Sequence, residues 1–270
     1  ALQWLEDHGH FLKYNESPKI HPSVKVGEFA YIAKNVEIGE GTVVMPHAVI
    51  HEDVKIGKRC VIKSGAVIGH EGFGFERDEQ GIPQRFIHVG GVVIGNDVQI
   101  GSMTTVCRAA LHETVIEDYV KIDDHVHVGH NVYLGAKSII TACTEFSGGV
   151  VVGEEVWISP HVSIKEQVKI GNGAYVGLGA VVLKDVAAGE VVVGNPHHAA
   201  RFAACSAKKL SFYKDQNRLA CLTHQQARTH RTGTTTHHDP IKRLVESGHP
   251  HSFHANLRVR AFLRACSAND

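Results

Sequence analysis

The stretch TVIEDYVKIDDHVHVGHNVYLGAKSII, residues 114–140, decides the fold because a large apolar residue returns at every sixth position. The series continues without a break as far as Val182, and a small or β-branched residue stands two places before each member. A period of six fits neither an amphipathic helix nor a simple strand. It fits a chain that bends every six residues and turns two side chains of each hexad inward. The pattern therefore predicts a parallel β-helix of hexapeptide repeats, an all-β solenoid.

The same hexads organise most of the chain. They begin at Ile20, stop at a break over 69–91, resume at Ile94 and shift register by four residues over 108–111. Three hexads make one triangular coil, so we expect about eight coils in which each residue stacks on the one a coil earlier. The predicted domains are an N-terminal segment over 1–18, a β-helix domain over 19–202, and a C-terminal tail over 203–270 with one helix near 239–247.

The break, GHEGFGFERDEQGIPQRFIHVGG, is predicted to be an external loop. A loop of this length in a compact repeat protein usually has a function. Its phenylalanines Phe73 and Phe75 alternate with glycines, which favours an apolar lid or pocket wall over a buried core.

Composition restricts the function. The formal net charge is zero, with 28 basic and 28 acidic residues, so neither nucleic acid nor an anionic membrane is an expected partner. The apolar runs are too short for a transmembrane segment, and the acidic start of the chain predicts no signal peptide. The six cysteines form no Cys-x-x-Cys pair, which favours a reducing cytoplasm.

His130 is the first candidate catalytic residue, because it lies two residues after the inward Val128 and its side chain should point outward. Gly148 should stack one coil above it and offer an unencumbered backbone N–H. Asp123 lies about one hexad earlier and could reach the imidazole from a neighbouring face or subunit. A neutral imidazole accepts a proton near pH 7, a carboxylate orients it, and an N–H group stabilises an oxyanion.

Several motifs carry a more specific resemblance. They are GFGF (72–75), Pro83-Gln84, GGVVIGNDVQIG (90–101), TTVCRAAL (104–111), ETVIEDYVKIDD (113–124) and VGHNV (128–132). In this order the chain resembles the UDP-3-O-acylglucosamine N-acyltransferase family over roughly residues 20–170. The resemblance implies a left-handed β-helix, a homotrimer with active sites between subunits, and transfer of an acyl group from a thioester to a nucleotide-linked amino sugar.

The resemblance also implies roles for residues. The family's general base matches His130, its partner carboxylate matches Asp123, and its oxyanion-hole glycine matches Gly148. The expected substrate-binding residues are Phe73, Phe75, Gln84, Asn131 and Gln167. Gln167 stands where the family has a second histidine, and Cys107 stands where it has an aspartate.

The closing segments VGLGAVVLKDV (176–186) and VVVGNP (191–196) resemble those of acetyl-CoA-dependent hexapeptide acetyltransferases. This second resemblance implies contacts with the CoA donor at Gly177, Lys184, Asn195, Pro196 and Arg201. The expected donors are acyl-CoA, acetyl-CoA included, or acyl-carrier protein, and neither a metal nor a permanently bound cofactor is expected.

Three other functions are compatible with the sequence. One is an acetyl-CoA-dependent N-acetyltransferase acting on an amino-deoxy sugar for surface polysaccharide. Another is a zinc enzyme of the γ carbonic anhydrase type, because His125 and His130 have the spacing of two of its ligands. Val89 stands where the third histidine would be needed, which disfavours zinc. The last is a β-helix without catalytic activity, used only for assembly.

Overall fold

The structure is a computed structural model that describes residues 16–196, 198 and 199. The elements of this part are all β-strands. In chain order they are β1 (Lys19–Ile20), β2 (Lys25–Val26), β3 (Tyr31–Ile32), β4 (Glu37–Ile38), β5 (Val43–Val44), β6 (Val49–Ile50), β7 (Val54–Ile56), β8 (Val61–Ile62), β9 (Val67–His70), β10 (Phe75–Arg77), β11 (Pro83–Arg85), β12 (Gly91–Ile94), β13 (Gln99–Ile100), β14 (Thr105–Cys107), β15 (Glu113–Ile116), β16 (Lys121–Ile122), β17 (His127–Val128), β18 (Tyr133–Leu134), β19 (Ile139–Ile140), β20 (Glu145–Phe146), β21 (Val151–Val152), β22 (Trp157–Ile158), β23 (Ser163–Ile164), β24 (Lys169–Ile170), β25 (Tyr175–Val176), β26 (Val181–Val182), β27 (Val191–Val193) and β28 (His198–Ala199).

The strands form the three faces of a solenoid. Face 1 has the order β1-β4-β7-β12-β15-β18-β21-β24, face 2 has β2-β5-β8-β13-β16-β19-β22-β25-β27-β28, and face 3 has β3-β6-β9-β14-β17-β20-β23-β26. All neighbours on these faces pair in parallel except β27 and β28. The predicted parallel β-helix is confirmed, with eight strands on face 1 and on face 3. The predicted tail over 203–270, its helix and most of the N-terminal segment lie outside the described residues.

The six-residue period follows from one backbone conformation that recurs at the corners. At most corners one residue has a positive φ, between 53° and 64° where that residue is not glycine. Asn35, Asp97 and Asn131 are among these residues, and asparagine and aspartate tolerate the left-handed conformation better than most side chains. The turn brings the next two-residue strand into its ladder, and the backbone hydrogen bonds between coils hold the strained corner in place.

The core is the inside of the prism, filled by the two inward positions of each hexad. The large position holds residues such as Ile50, Leu134 and Phe146, all fully buried. Where the small position is polar, its hydroxyl bonds to a carbonyl group of the backbone. Thr42 donates to Gly57 over 2.9 Å, and Ser138 donates to Gly153 over 2.9 Å. The inward polar residues therefore leave no unpaired hydroxyl in the core at these positions.

Two insertions interrupt the regular coil, both at the edge where face 3 meets face 1. Ile56 pairs with Ile94, so one coil carries the predicted loop, which contains the antiparallel hairpin β10–β11. Ile94 pairs with Ile116, so the next coil carries the four extra residues predicted over 108–111. A β-bulge between Val106 and Cys107 begins this second insertion. Both insertions therefore emerge at one edge of the solenoid, which we call the loop corner.

Across the described residues, no helix has the length and apolar character that are needed to span a bilayer.

Candidate active site

The loop corner gathers most of the predicted site residues. His130 lies in the turn between β17 on face 3 and β18 on face 1. Gly148, Glu166 and Lys184 occupy the same turn position in the next three coils, each about 4.8 Å above the one before. The insertion over 108–112 emerges at the same corner one coil below His130, and the loop over 71–90 emerges there two coils below.

The base of the loop is fixed to the solenoid by Arg108. This largely buried side chain donates from Nε to the Gly69 carbonyl over 2.7 Å and from Nη2 to the Glu52 carbonyl over 2.9 Å. Further along, Arg85 donates from Nε to the Glu71 carboxylate over 2.8 Å. These bonds hold the loop folded back against the corner.

The His130 imidazole lies directly against Gly148. A Cβ atom added at Gly148 would lie 2.5 Å from both Nε2 and Cε1 of the ring, which is closer than real atoms approach. The Gly148 N–H makes no hydrogen bond within the described residues, whereas its carbonyl accepts from Gln167 over 3.0 Å. The corner thus presents a free backbone N–H beside the outer edge of an imidazole.

Asn131 determines which nitrogen of His130 carries the proton. Its Oδ1 accepts a hydrogen bond from the Ala110 N–H over 2.9 Å, which fixes the orientation of the amide. Its Nδ2 then donates to His130 Nδ1 over 3.1 Å. Since Nδ1 accepts, the neutral ring carries its proton on Nε2.

A second histidine, His88, lies beside His130. The two ring centroids are 5.1 Å apart and the rings meet edge to face. His88 is only 4% exposed, and its Nδ1 donates to the Phe86 carbonyl over 3.1 Å. With the proton on Nδ1, the free lone pair of His88 is on Nε2.

The glycines of the GFGF motif make room for this pair of rings. A Cβ atom at Gly72 would lie 2.9 Å from His88 Nε2 and 3.1 Å from His130 Cβ. A Cβ atom at Gly74 would lie 2.9 Å from His88 Cε1. The glycines therefore allow the loop backbone to close over the two imidazoles.

The environment keeps His88 neutral. Burial lowers its pKa below the usual value of a histidine, and a charge on His130 would lower it further. Elsewhere at this corner, burial raises the pKa of the Cys107 thiol to about 11. The Cys107 Sγ lies 3.5 Å from His70 Nε2, and burial lowers the pKa of His70 as it does that of His88. Cys107 is therefore a thiol at neutral pH.

The predicted substrate-binding residues divide into two groups. Phe73 and Phe75 are exposed, at 90% and 44%, and their rings lie 4.8 Å apart at the surface of the loop. Gln167 lies at the same corner, two coils above Asn131. Gln84, in contrast, donates to the Asp78 carboxylate over 2.8 Å and so supports the hairpin turn.

Asp123 lies at a different corner from His130. It falls in the turn between β16 on face 2 and β17 on face 3, a full face away, and no contact joins it to His130 within the described residues. We call this edge the Asp123 corner. Gly177 lies at the same corner three coils above, and Asn195 and Pro196 follow β27 on face 2.

The predicted CoA contacts are therefore split between two corners. Lys184 is at the loop corner, whereas Gly177, Asn195 and Pro196 are on the side of the Asp123 corner. Arg201 lies outside the described residues. A single chain does not bring these residues into one site.

The histidines considered for zinc are also separated, since His125 is at the Asp123 corner and His130 at the loop corner. Among the described residues, no group of three histidine, cysteine, aspartate or glutamate side chains is placed to hold a metal ion.

His88 is the residue of this corner that the sequence analysis missed. Two features of the sequence could have indicated it. The glycine pair of GFGF indicates that a bulky side chain lies against the loop backbone, and a histidine stands between Ile87 and Val89. Only the folded loop shows that this bulky group is an imidazole facing His130.

Comparisons with known proteins agree with the predicted repeats. The family described as "Bacterial transferase hexapeptide (six repeats)" matches residues 17–51, 35–70 and 149–184. LpxA from Acinetobacter baumannii has a similar structure, with a TM-score of 0.62 and 26% identity, covering 68% of this chain and 69% of that one. The UDP-N-acetylglucosamine acyltransferase of Francisella novicida matches with a TM-score of 0.60 and 24% identity over 74% of this chain and 70% of that one, which supports the fold.

Curated relatives confirm the more specific resemblance. UDP-3-O-acylglucosamine N-acyltransferase of Pseudomonas fluorescens is 48% identical over 112 residues, which are 42% of this chain and 32% of that protein. The enzyme of the same name from Pseudomonas syringae is 39% identical over 146 residues, or 47% of this chain and 41% of that protein. The match thus spans between about a third and two fifths of these relatives' length.

Proposed function

We propose that the protein is an N-acyltransferase that moves an acyl group from a thioester donor to the amino group of a UDP-linked amino sugar, as a step of lipid A synthesis. The observation that carries the proposal is the loop corner itself. It combines two neighbouring imidazoles, His88 and His130, with the free N–H of Gly148, within the segment that resembles the N-acyltransferases.

The chemistry of amide formation needs these groups. The amine must lose a proton as it attacks the thioester carbonyl, and an imidazole is well suited to accept it near pH 7. The carbonyl oxygen becomes negative in the tetrahedral intermediate, and the Gly148 N–H is free to donate to it. The exposed Phe73 and Phe75 supply an apolar surface beside the corner, which suits an acyl chain.

A trimer would complete the site. Asp123, Gly177, Asn195 and Pro196 lie away from His130 in one chain, so they would contribute only if the Asp123 corner of one subunit faced the loop corner of its neighbour. Light scattering should then give a mass near three chains, and Asp123→Asn should lower turnover while the melting temperature is unchanged. A monomer with full activity would contradict the shared site. The cytoplasmic location stays a prediction based on the cysteines.

A donor panel tests the reaction directly. Purified protein is incubated with acetyl-CoA, a long-chain acyl-CoA or acyl-carrier protein, each with UDP- and dTDP-linked amino sugars, and the released thiol is measured together with the mass of the sugar product. We expect transfer to the UDP-linked amino sugar from a long-chain donor. Transfer from acetyl-CoA alone would indicate the polysaccharide alternative, and no transfer from any donor would contradict the proposed function.

A further inference from the structure

The His130 ring is in contact with groups from several parts of the chain. Gly148 lies against its outer edge, and Asn131 Nδ2 donates to its Nδ1 over 3.1 Å. The loop backbone approaches at Gly72, where a Cβ atom would lie 3.1 Å from both Cβ and Cδ2 of His130. A fourth neighbour is the ring of His88, which meets it edge to face with 5.1 Å between the centroids.

His88 is itself held firmly. The residue is only 4% exposed, and its Nδ1 donates to the Phe86 carbonyl over 3.1 Å. The chain is bonded on both sides of it, because the Phe86 N–H donates to the Gly74 carbonyl over 2.9 Å and the Val89 N–H to the Ala110 carbonyl over 3.0 Å. A buried ring on a fixed backbone has little freedom to turn, so His88 presents a rigid surface to His130.

The environment of His88 suits a contact with a base. Burial lowers its pKa, and His130 and Arg85 act in the same direction, while Glu71 and the Phe86 carbonyl act against them. Glu71 is paired with Arg85, which reduces its effect. A neutral neighbour does not repel the proton that a base has to accept.

We propose that His88 is a positioning residue, whose ring holds the His130 imidazole against Gly148 in the orientation that proton transfer requires. The inference rests on the proposed acyl transfer, in which an imidazole of this corner accepts the proton of the amine. His88 acts through His130 and needs no contact with either substrate. The external loop then has two tasks, because it carries Phe73 and Phe75 at its surface and His88 beneath them.

The expected effect is on turnover, because a misplaced ring still leaves the substrate contacts of the corner in place. A histidine side chain has three staggered orientations about χ1. His130 lies at a corner, outside the apolar core that would otherwise restrict it. A displacement of about 1 Å in a reacting group costs up to about 10²-fold in rate. Loss of the His88 ring should therefore lower kcat by about 10- to 10²-fold and change KM little.

His88→Phe and His88→Asn separate the ring from its hydrogen bond. Phenylalanine keeps an aromatic ring against His130 and loses the donor to the Phe86 carbonyl. Asparagine keeps a donor for that carbonyl and loses the ring. If the ring positions His130, kcat should be at least about tenfold higher in His88→Phe than in His88→Asn. Equal values, or a higher kcat in His88→Asn, would overturn the proposal, because they would show that His88 only supports the loop.

A double-mutant cycle tests whether His88 acts through His130. Residues that act as one unit are not additive. His88→Asn should therefore lower the kcat of the wild-type enzyme but leave the residual kcat of His130→Ala within a few fold. A similar loss in both backgrounds would show a route that does not pass through His130 and would contradict the positioning role.

Gly74→Ala displaces His88 without removing it, which keeps the test valid if the His88 variants fold poorly. The added Cβ would lie 2.9 Å from His88 Cε1, so the ring has to shift. Gly74 has no positive φ, so its backbone suits alanine. We expect kcat to fall by about tenfold, with little further loss when the change is made in His88→Asn. A fully active Gly74→Ala enzyme would contradict the proposal.

His70 is the matched control. It also has Nδ1 bonded to a backbone carbonyl, that of Glu71 over 2.8 Å, and burial also lowers its pKa. Its Nε2, however, faces the Cys107 thiol. We expect His70→Phe and His70→Asn to keep kcat within a few fold of wild type, without the difference between phenylalanine and asparagine that His88 should show. The same difference at His70 would contradict a specific role of His88.

A measurement without turnover separates this inference from the proposed function. In protein that is deuterated except at histidine, nuclear Overhauser effects between the ring protons of His88 and His130 report the contact. Assignments come from His88→Asn and His130→Ala. We expect this effect in the wild type, and shifted His130 ring resonances in Gly74→Ala but not in His70→Phe. Its absence would overturn the inference even if acyl transfer is found, and an inactive protein with the expected contact would overturn only the proposed function.

Discussion

His130 and Gly148 are stacked one coil apart, and the imidazole of His130 fills the space that a side chain on Gly148 would need. A Cβ atom on Gly148 would lie 2.5 Å from His130 Nε2. The contact places the imidazole beside the residue whose N–H group the proposed function assigns to the developing oxyanion. It also explains why glycine is needed at a corner position where its φ does not lie in the left-handed region.

Gly148→Ala should displace the His130 ring without unfolding the protein. The backbone conformation suits alanine, and the ring can move because it is the far end of a side chain. We expect kcat to fall by about 10²-fold or more, because the displaced imidazole is no longer positioned for proton transfer, with a small change in melting temperature. Gly173→Ala would not serve as a control, because Gly173 has a φ of 66°, in the left-handed region that alanine disfavours. A fully active Gly148→Ala enzyme would show that the contact is not needed.

His130→Ala should lower kcat by about 10²- to 10⁴-fold, the usual value of a side chain positioned for proton transfer. Stability should change little, because the ring lies at a corner and outside the apolar core. His125→Ala and His127→Ala are the controls, since one lies at the Asp123 corner and the other on face 3. If His125→Ala abolished turnover while His130→Ala retained it, the loop corner would not be the active site.

Phe75→Ala should raise KM for the acyl donor and leave the melting temperature unchanged. The side chain is 44% exposed and contacts Phe73 and the Arg85 guanidinium, 5.9 Å from its ring centroid, so little core packing is lost. Phe29→Ala is the matched control, because Phe29 is also exposed but stacks on His47 at the Asp123 corner. Unfolding of Phe75→Ala would show that this ring is structural.

Stability should fall in mild acid. Burial lowers the pKa of both His70 and His88 in the folded protein. Below about pH 6.5 the unfolded chain binds protons at these histidines that the folded chain does not. The stability that the two neutral histidines contribute is therefore fully present above about pH 6.5. It decreases as the pH falls from there through the folded pKa values, by at most about 1.4 kcal/mol per pH unit for each histidine. Urea unfolding at pH 7.5 and 5.5 measures this, and His88→Asn should reduce the difference. Greater stability at pH 5.5 would contradict the expectation.

Counting hexads correctly placed Gly148 one coil above His130. That the two insertions emerge beside this pair is visible only in the folded chain. The same counting places Asp123 one corner earlier, where a carboxylate cannot reach His130 within one chain. Its predicted role therefore depends on a second subunit, which no feature of the single chain decides.

The sequence by itself determined the solenoid, its inward residues and its corners. A repeat protein can be predicted in this way because each coil contacts only its neighbours, so one pattern repeated every six residues specifies the whole ladder. The loop over 69–91 follows no repeat. Where His88 lies, which nitrogen of His130 carries the proton and why Gly72 must be glycine depend on hydrogen bonds and ring contacts between residues far apart in the chain. Only the tertiary structure decided these, because the direction of a hydrogen bond is set by the partner that folding brings to it.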